Sequence, residues 1–147
     1  MNARGLLLFV GGLVAAPQAR SGEAAKADLD RLQGTWQLVS ATQDGKALPA
    51  ETVKRTTIVF RGDTFRFPGA AEQATSKDGT ITVDPAKTPK EMDARSPQGE
   101  VMRGIYELDG DRYRVCFAPA GQARPTAFRS DAGSGRILQS WVRAKAR

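Results

Sequence analysis

The sequence has no histidine, a single cysteine and no apolar run long enough to span a bilayer. Without an imidazole there is no Ser-His-Asp or Cys-His nucleophile system and no metal site built on histidine. One thiol can form neither an internal disulfide nor a thiolate zinc cluster. Cys116 stands in "RYRVCFA" (112–118), where it reads as a small hydrophobe of a buried strand, with intermolecular pairing as the alternative. No strand-to-helix junction carries glycines at the spacing of a phosphate cradle. Long basic runs are missing too. The 22 Lys and Arg against 16 Asp and Glu give a net charge of +6, scattered apart from Arg112/Arg114 and the tail Arg143–Arg147. A solvated, mildly cationic surface is expected, with no nucleic-acid partner. The reactive inventory is poor enough that no catalytic activity, cofactor or metal is expected.

The first quarter of the chain differs from the rest. Met1–Arg4 carries a positive charge, Gly5–Ala16 is a twelve-residue run without charge, and Ala15, Ala16, Ala19, Ala24 and Ala25 supply small residues at its exit. That order is the pattern of a secretory signal peptide. Twelve residues fall short of the roughly 20 a membrane-crossing helix needs. The alternatives are a buried N-terminal helix or an uncleaved anchor. Residues 1–25 are therefore expected to be a leader, cut between about 16 and 25, with Pro17 hindering a cut after Ala16. Export to the periplasm or the exterior follows, with no transmembrane span in the mature chain. Removing Arg4 lowers the net charge to +5. Residues 26–147 then form a single domain, long enough to bury roughly two-thirds of its unfolded surface without staples.

Past the leader, "EAAKADLDRLQ" (23–33) places Leu29 and Leu32 on one helix face, with Gly34 where a C-terminal cap belongs. From Thr35 the period becomes two: Trp36, Leu38 and Ser40 share one face, Gln37, Val39 and Ala41 the other. Asp44-Gly45 ends that strand. "KALPAETVKR" (46–55) is a connector with room for one helical turn. Short β runs follow at 56–60, 64–67, 80–84, 103–109, 111–119 and 136–143, with weaker ones at 72–76, 89–94 and 125–129. Arg61-Gly62-Asp63 reads as a tight turn rather than an adhesion motif, and Asp109-Gly110 marks a hairpin. Regular turns between eight to ten short strands indicate an all-β barrel or sandwich.

The Gly34-Thr35-Trp36 that opens the first strand resembles the Gly-X-Trp signature of lipocalins. "LQGTWQLVS", "GDTFRF", "VDPAKTPKEMD", "GIYELDGDRYRVCFAPAGQARPTAF" and "GSGRILQSWVR", in that order, resemble the lipocalin-like domain family found in many secreted planctomycete proteins. The resemblance runs from about Leu32 to Arg143. It implies an antiparallel up-and-down barrel with a short N-terminal helix, and it implies no activity. It also implies that Trp36 closes one end and that an arginine of the last strand, here Arg143, lies across its face as a cation–π pair.

Two functions follow. In the first, the barrel holds a small apolar ligand, lined by an inward set of Trp36, Leu38, Ile58, Phe60, Phe65, Phe67, Ile81, Val83, Tyr106, Leu108, Tyr113, Val115 and Phe117. In the second, side chains fill the barrel, and the chain is a non-catalytic accessory module docking on another envelope protein. A monomer is expected in either case. Asp109 and Asp111 lack the ligand pattern of a calcium loop, and Glu107 and Asp109 read as a solvated face. The proline-rich "VDPAKTPKEMDARSPQGE" (83–100) is expected to be a rim connector with one edge strand, the alternative being a lid at the barrel mouth.

Overall fold

The computed structural model describes residues 17–68 and 78–145. The apolar run of the expected leader and the weak strand expected over 72–76 lie outside the described residues. The elements are α1 (Pro17–Leu32), β1 (Gly34–Gln43), β2 (Lys46–Ala47), α2 (Ala50–Arg55), β3 (Thr57–Arg61), β4 (Thr64–Arg66), β5 (Gly79–Asp84), β6 (Lys90–Arg95), β7 (Val101–Asp109), β8 (Arg112–Phe117) and β9 (Ile137–Arg143). Antiparallel pairing passes from β1 to β3 and then strand by strand to β9, which pairs back onto β1. The result is a closed eight-stranded barrel, with β2 an extra strand hydrogen-bonded to the upper part of β1. Closure removes the exposed edges that an open sheet would present. Among the described residues no helix is long and apolar enough to cross a membrane.

The turns form where backbone freedom permits. Asp44 (φ 51°) and Gly45 (φ 79°) both take the left-handed conformation, which suits a two-residue hairpin between β1 and β2. A side chain at Gly45 would also strike the backbone of Ala132, 2.6 Å away. The β3–β4 turn is Arg61-Gly62-Asp63, with Gly62 at φ 63°.

Three expectations are corrected. Simple alternation along β1 fails at its middle: Leu38 pairs with Trp141 and Ser40 with Ser140, so Val39 is an inserted bulge residue. The bulge shifts the phase by one. Leu38 and Ala41 are buried, whereas Val39 and Ser40 face solvent. The segment expected as an edge strand, 89–94, is a fully paired barrel strand flanked by β5 and β7, with Met92 1% exposed. Its prolines, 85, 89 and 97, all fall outside the strand, which is why they do not break it. The weak strand expected over 125–129 is irregular. Pro125 is buried there and cannot donate to a ladder.

That irregular connection, 118–136, lies across the outer wall. Ile105 and Cys116 pair directly and point outward, since their neighbours Tyr106 and Val115 point in, yet they are 1% and 0% exposed. The Cys116 thiol donates to the Arg129 carbonyl at 3.3 Å, and burial pushes its pKa up. Arg124 pins the same connection, donating to the Gly104 carbonyl at 2.9 Å and pairing with Glu91 and Asp93. Its approach to Asp93 Oδ1, 2.7 Å, lacks hydrogen-bond geometry and leaves that buried oxygen without a donor.

Candidate functional site

One end of the barrel gathers the start of β1, the β3–β4 turn, the start of β6, and the ends of β7 and β9, and α1 closes it. The helix turns Ala25, Leu29 and Leu32 onto the core, with Leu32 fully buried. Its last carbonyls have no partner within the helix, and the barrel supplies donors. Trp36 Nε1 donates to the Leu32 carbonyl at 2.8 Å. Arg143 donates to the Gln33 carbonyl at 2.6 Å and to that of Arg31. The same guanidinium stacks 4.4 Å from the Trp36 ring and bonds Asp111 at 3.0 Å. Gln33 exchanges two hydrogen bonds with the backbone of Gly62, fixing the β3–β4 turn to the helix end.

Asp28 lies on the same face of α1 and is 2% exposed, the one charged residue that is buried among the described residues. Tyr106 Oη donates to its Oδ2 at 2.6 Å, Lys90 Nζ to the same oxygen at 3.0 Å, and Arg31 to Oδ1 at 2.9 Å. Burial by itself would raise the pKa of Asp28. The Tyr106 and Lys90 hydrogen bonds, with the charges of Lys90 and Arg31, outweigh it and hold the carboxyl below its ordinary 3.8. Burial, then the adjacent carboxylate, pushes the Tyr106 hydroxyl far above its ordinary value. Strand periodicity offers no sign of Asp28. The available signal is its helix position, a charge on the face shared by Ala25, Leu29 and Leu32.

The interior is occupied. Of the expected inward set, Trp36, Leu38, Ile58, Phe60, Ile81, Val83, Tyr106, Tyr113 and Val115 are buried in one core cluster. Phe65, Leu108 and Phe117 are partly buried against it. Phe67 departs from the set: it lies past the end of β4, 38% exposed, with its ring 6.0 Å from that of Phe65. Tyr113 meets Trp36 and Phe60 edge-on at 5.8 and 6.0 Å, and its buried hydroxyl donates to the Met92 sulfur at 3.2 Å. Trp141 and Met92, both 1% exposed, and Ala41 complete the core and were outside the inward set read from strand alternation. For Trp141 the signal exists, since Gln139, Trp141 and Arg143 share one face of β9.

At the opposite end, two phenylalanines lie against glycines. A Cβ at Gly79 would come within 2.3 Å of the Phe65 ring, and one at Gly104 within 2.6 Å of the Phe117 ring. The missing side chains make room for the rings, which pack partly buried against the core. On the outer wall the β1 bulge borders an open depression of about 270 Å³ between Val39 and the Glu107–Arg114 ion pair. A second open depression, of about 560 Å³, lies beside α2 and is lined by Glu51, Arg55, Thr57 and Phe67. Both are open to solvent. Among the described residues no cluster of acids and thiol is grouped to hold a metal ion. No family model, curated protein or solved structure matches this chain.

Proposed function

We propose that this chain is an exported, lipocalin-like module without catalytic activity, which acts through its outer surface while its own side chains fill the barrel. The observation that carries this reading is the occupied interior. Trp36, Tyr106, Tyr113 and Trp141 are each no more than 3% exposed, and Phe65 and Phe117 occupy the space left by Gly79 and Gly104. Small barrels either fill their interior or hold one ligand, and a ligand pocket ordinarily encloses roughly 300 Å³ or more. The two depressions above are open and external instead. The large exposed hydrophobics among the described residues are Val39 and Phe67 alone, so docking on an envelope protein would rely on polar contacts and shape around them.

Tryptophan fluorescence decides between the two functions. Titration with a medium-chain fatty acid and with ANS is expected to give no saturable change, because Trp36 and Trp141 face protein atoms. One-site saturation with quenching of either indole would restore the cargo-binding function. Fusing residues 1–25 to a reporter enzyme tests export separately; retention of the reporter in the cytoplasm would remove the envelope setting and leave the filled-barrel reading intact.

A further inference from the structure

The buried carboxylate of α1 anchors that helix to the barrel. We propose that α1 is an acid-released latch, docked while Asp28 is charged and freed through its middle turns when that charge is neutralised, while its last turn stays pinned by Trp36 and Arg143.

Three observations carry it. First, the C-terminal turn of the helix has attachments of its own, separate from those of its middle turns. The C-terminal carbonyls are fixed by Trp36 and Arg143, and Gly34, at φ 106°, follows immediately in a conformation that glycine adopts freely. Second, the hydrogen bonds that join the side chains of the middle turns to the barrel converge on one oxygen. Asp28 Oδ2 accepts from Tyr106 of β7 and Lys90 of β6. The other side-chain ion pairs of α1 among the described residues, Lys26 with Asp30 and Arg31 with Asp28, are internal to the helix. Third, the charged groups facing that oxygen reinforce the ionised form. Arg31 on α1 and Lys90 on β6 are cationic, and Tyr106 is a donor; Asp84 at the end of β5 acts on Tyr106 rather than on the carboxylate directly.

The sign follows from linkage. A carboxyl held lower in the docked state than in the released one favours docking at pH above the released value, near 3.8, and that contribution disappears as pH falls through the docked value. Protonated Asp28 would keep one acceptor oxygen but lose its attraction to Lys90 and Arg31, leaving two cations beside a neutral group. With no histidine in the chain, no imidazole tunes the latch near neutrality. Release uncovers Tyr106 and the part of the core beneath Ala25 and Leu29, so the closed end becomes an apolar surface only in acid.

Hydrogen exchange of the full chain, read peptide by peptide and corrected for intrinsic rates, tests this directly. In the wild type, protection of residues 26–32 is expected to hold from neutral pH to about pH 5 and to be lost progressively as pH falls below 3.8, while β7 and β8 stay protected. Asp28→Asn is expected to lower α1 protection already at pH 7 and to abolish its pH dependence. Tyr106→Phe should move the wild-type transition to higher pH. Should Asp28→Asn not fold, the wild-type profile and the Tyr106→Phe shift still decide. Simultaneous loss of protection in α1 and in β7–β8, or wild-type protection of α1 in folded Asp28→Asn, would overturn the latch.

Discussion

The two ends of this barrel are closed by different physics. At the α1 end, a helix is held by charge and by directed hydrogen bonds: Asp28 to Tyr106 and Lys90, and Arg143 to the helix carbonyls, to Asp111 and to the face of Trp36. At the other end, Phe65 and Phe117 rest against Gly79 and Gly104, a closure of shape that involves no charge. The hairpin tip at Asp44-Gly45 ties that end to the 118–136 connection, through Asp44 Oδ1 accepting from Gly135 N at 2.8 Å and Ser130 Oγ accepting from Gly45 N at 3.2 Å. The contrast teaches that salt and acid should loosen the first end more than the second, whereas a single added methyl group should disturb the second most.

The largest effect tests whether the α1 end is the keystone. Trp36→Ala removes a fully buried indole together with its hydrogen bond to Leu32 and is expected to cost about 3–5 kcal/mol in urea unfolding. A value below about 1 kcal/mol would mean the end closes without it. Next comes the shape-closed end. Gly104→Ala places a methyl group against the Phe117 ring and the Cys116 carbonyl, for an expected loss of about 1–3 kcal/mol. The double variant with Phe117→Leu should recover part of that loss, and strict additivity would show that the ring is not the obstacle. Arg143→Met retains an apolar stem but loses the stacking and the helix-cap bonds, and about 2 kcal/mol is expected from those together. Raising the salt concentration should narrow the difference between Arg143→Met and wild type while leaving the Gly104→Ala difference unchanged. The smallest effect is on the outer wall. Glu107→Gln breaks an exposed pair with Arg114 and should change stability by less than about 1 kcal/mol.

Much of the strand layout was legible because it is local. Asp109-Gly110 predicts the β7–β8 hairpin, and the residues around it alternate with the sheet period. The Gly-Thr-Trp start places Trp36 at the mouth of β1, and the structure finds its ring beneath Arg143. The bulge at Val39 was not legible, because an inserted residue leaves the same alternating letters and reveals itself only when β9 is paired alongside. The strand at Lys90–Arg95 was obscured by prolines that lie just outside it. The outward burial of Ile105 and Cys116 depends on where a connection of irregular backbone crosses, which periodicity does not encode. Asp28 looks like one more charge in a charged helix, and its partners stand 62 and 78 residues away.

On its own, the sequence determined that this chain is a succession of short β segments around an apolar face, introduced by a helix and without the histidine that Ser-His-Asp and Cys-His catalysis requires. Those properties reside in residue type and in spacings of a few positions. Only the tertiary structure decided that the strip closes, through β9 returning to β1. It also decided that Trp36, Tyr106, Tyr113 and Trp141 pack together inside it, and that one carboxylate is taken out of water. Closure, packing and desolvation depend on residues brought together from distant parts of the chain, and their energies exist only once those groups are in contact.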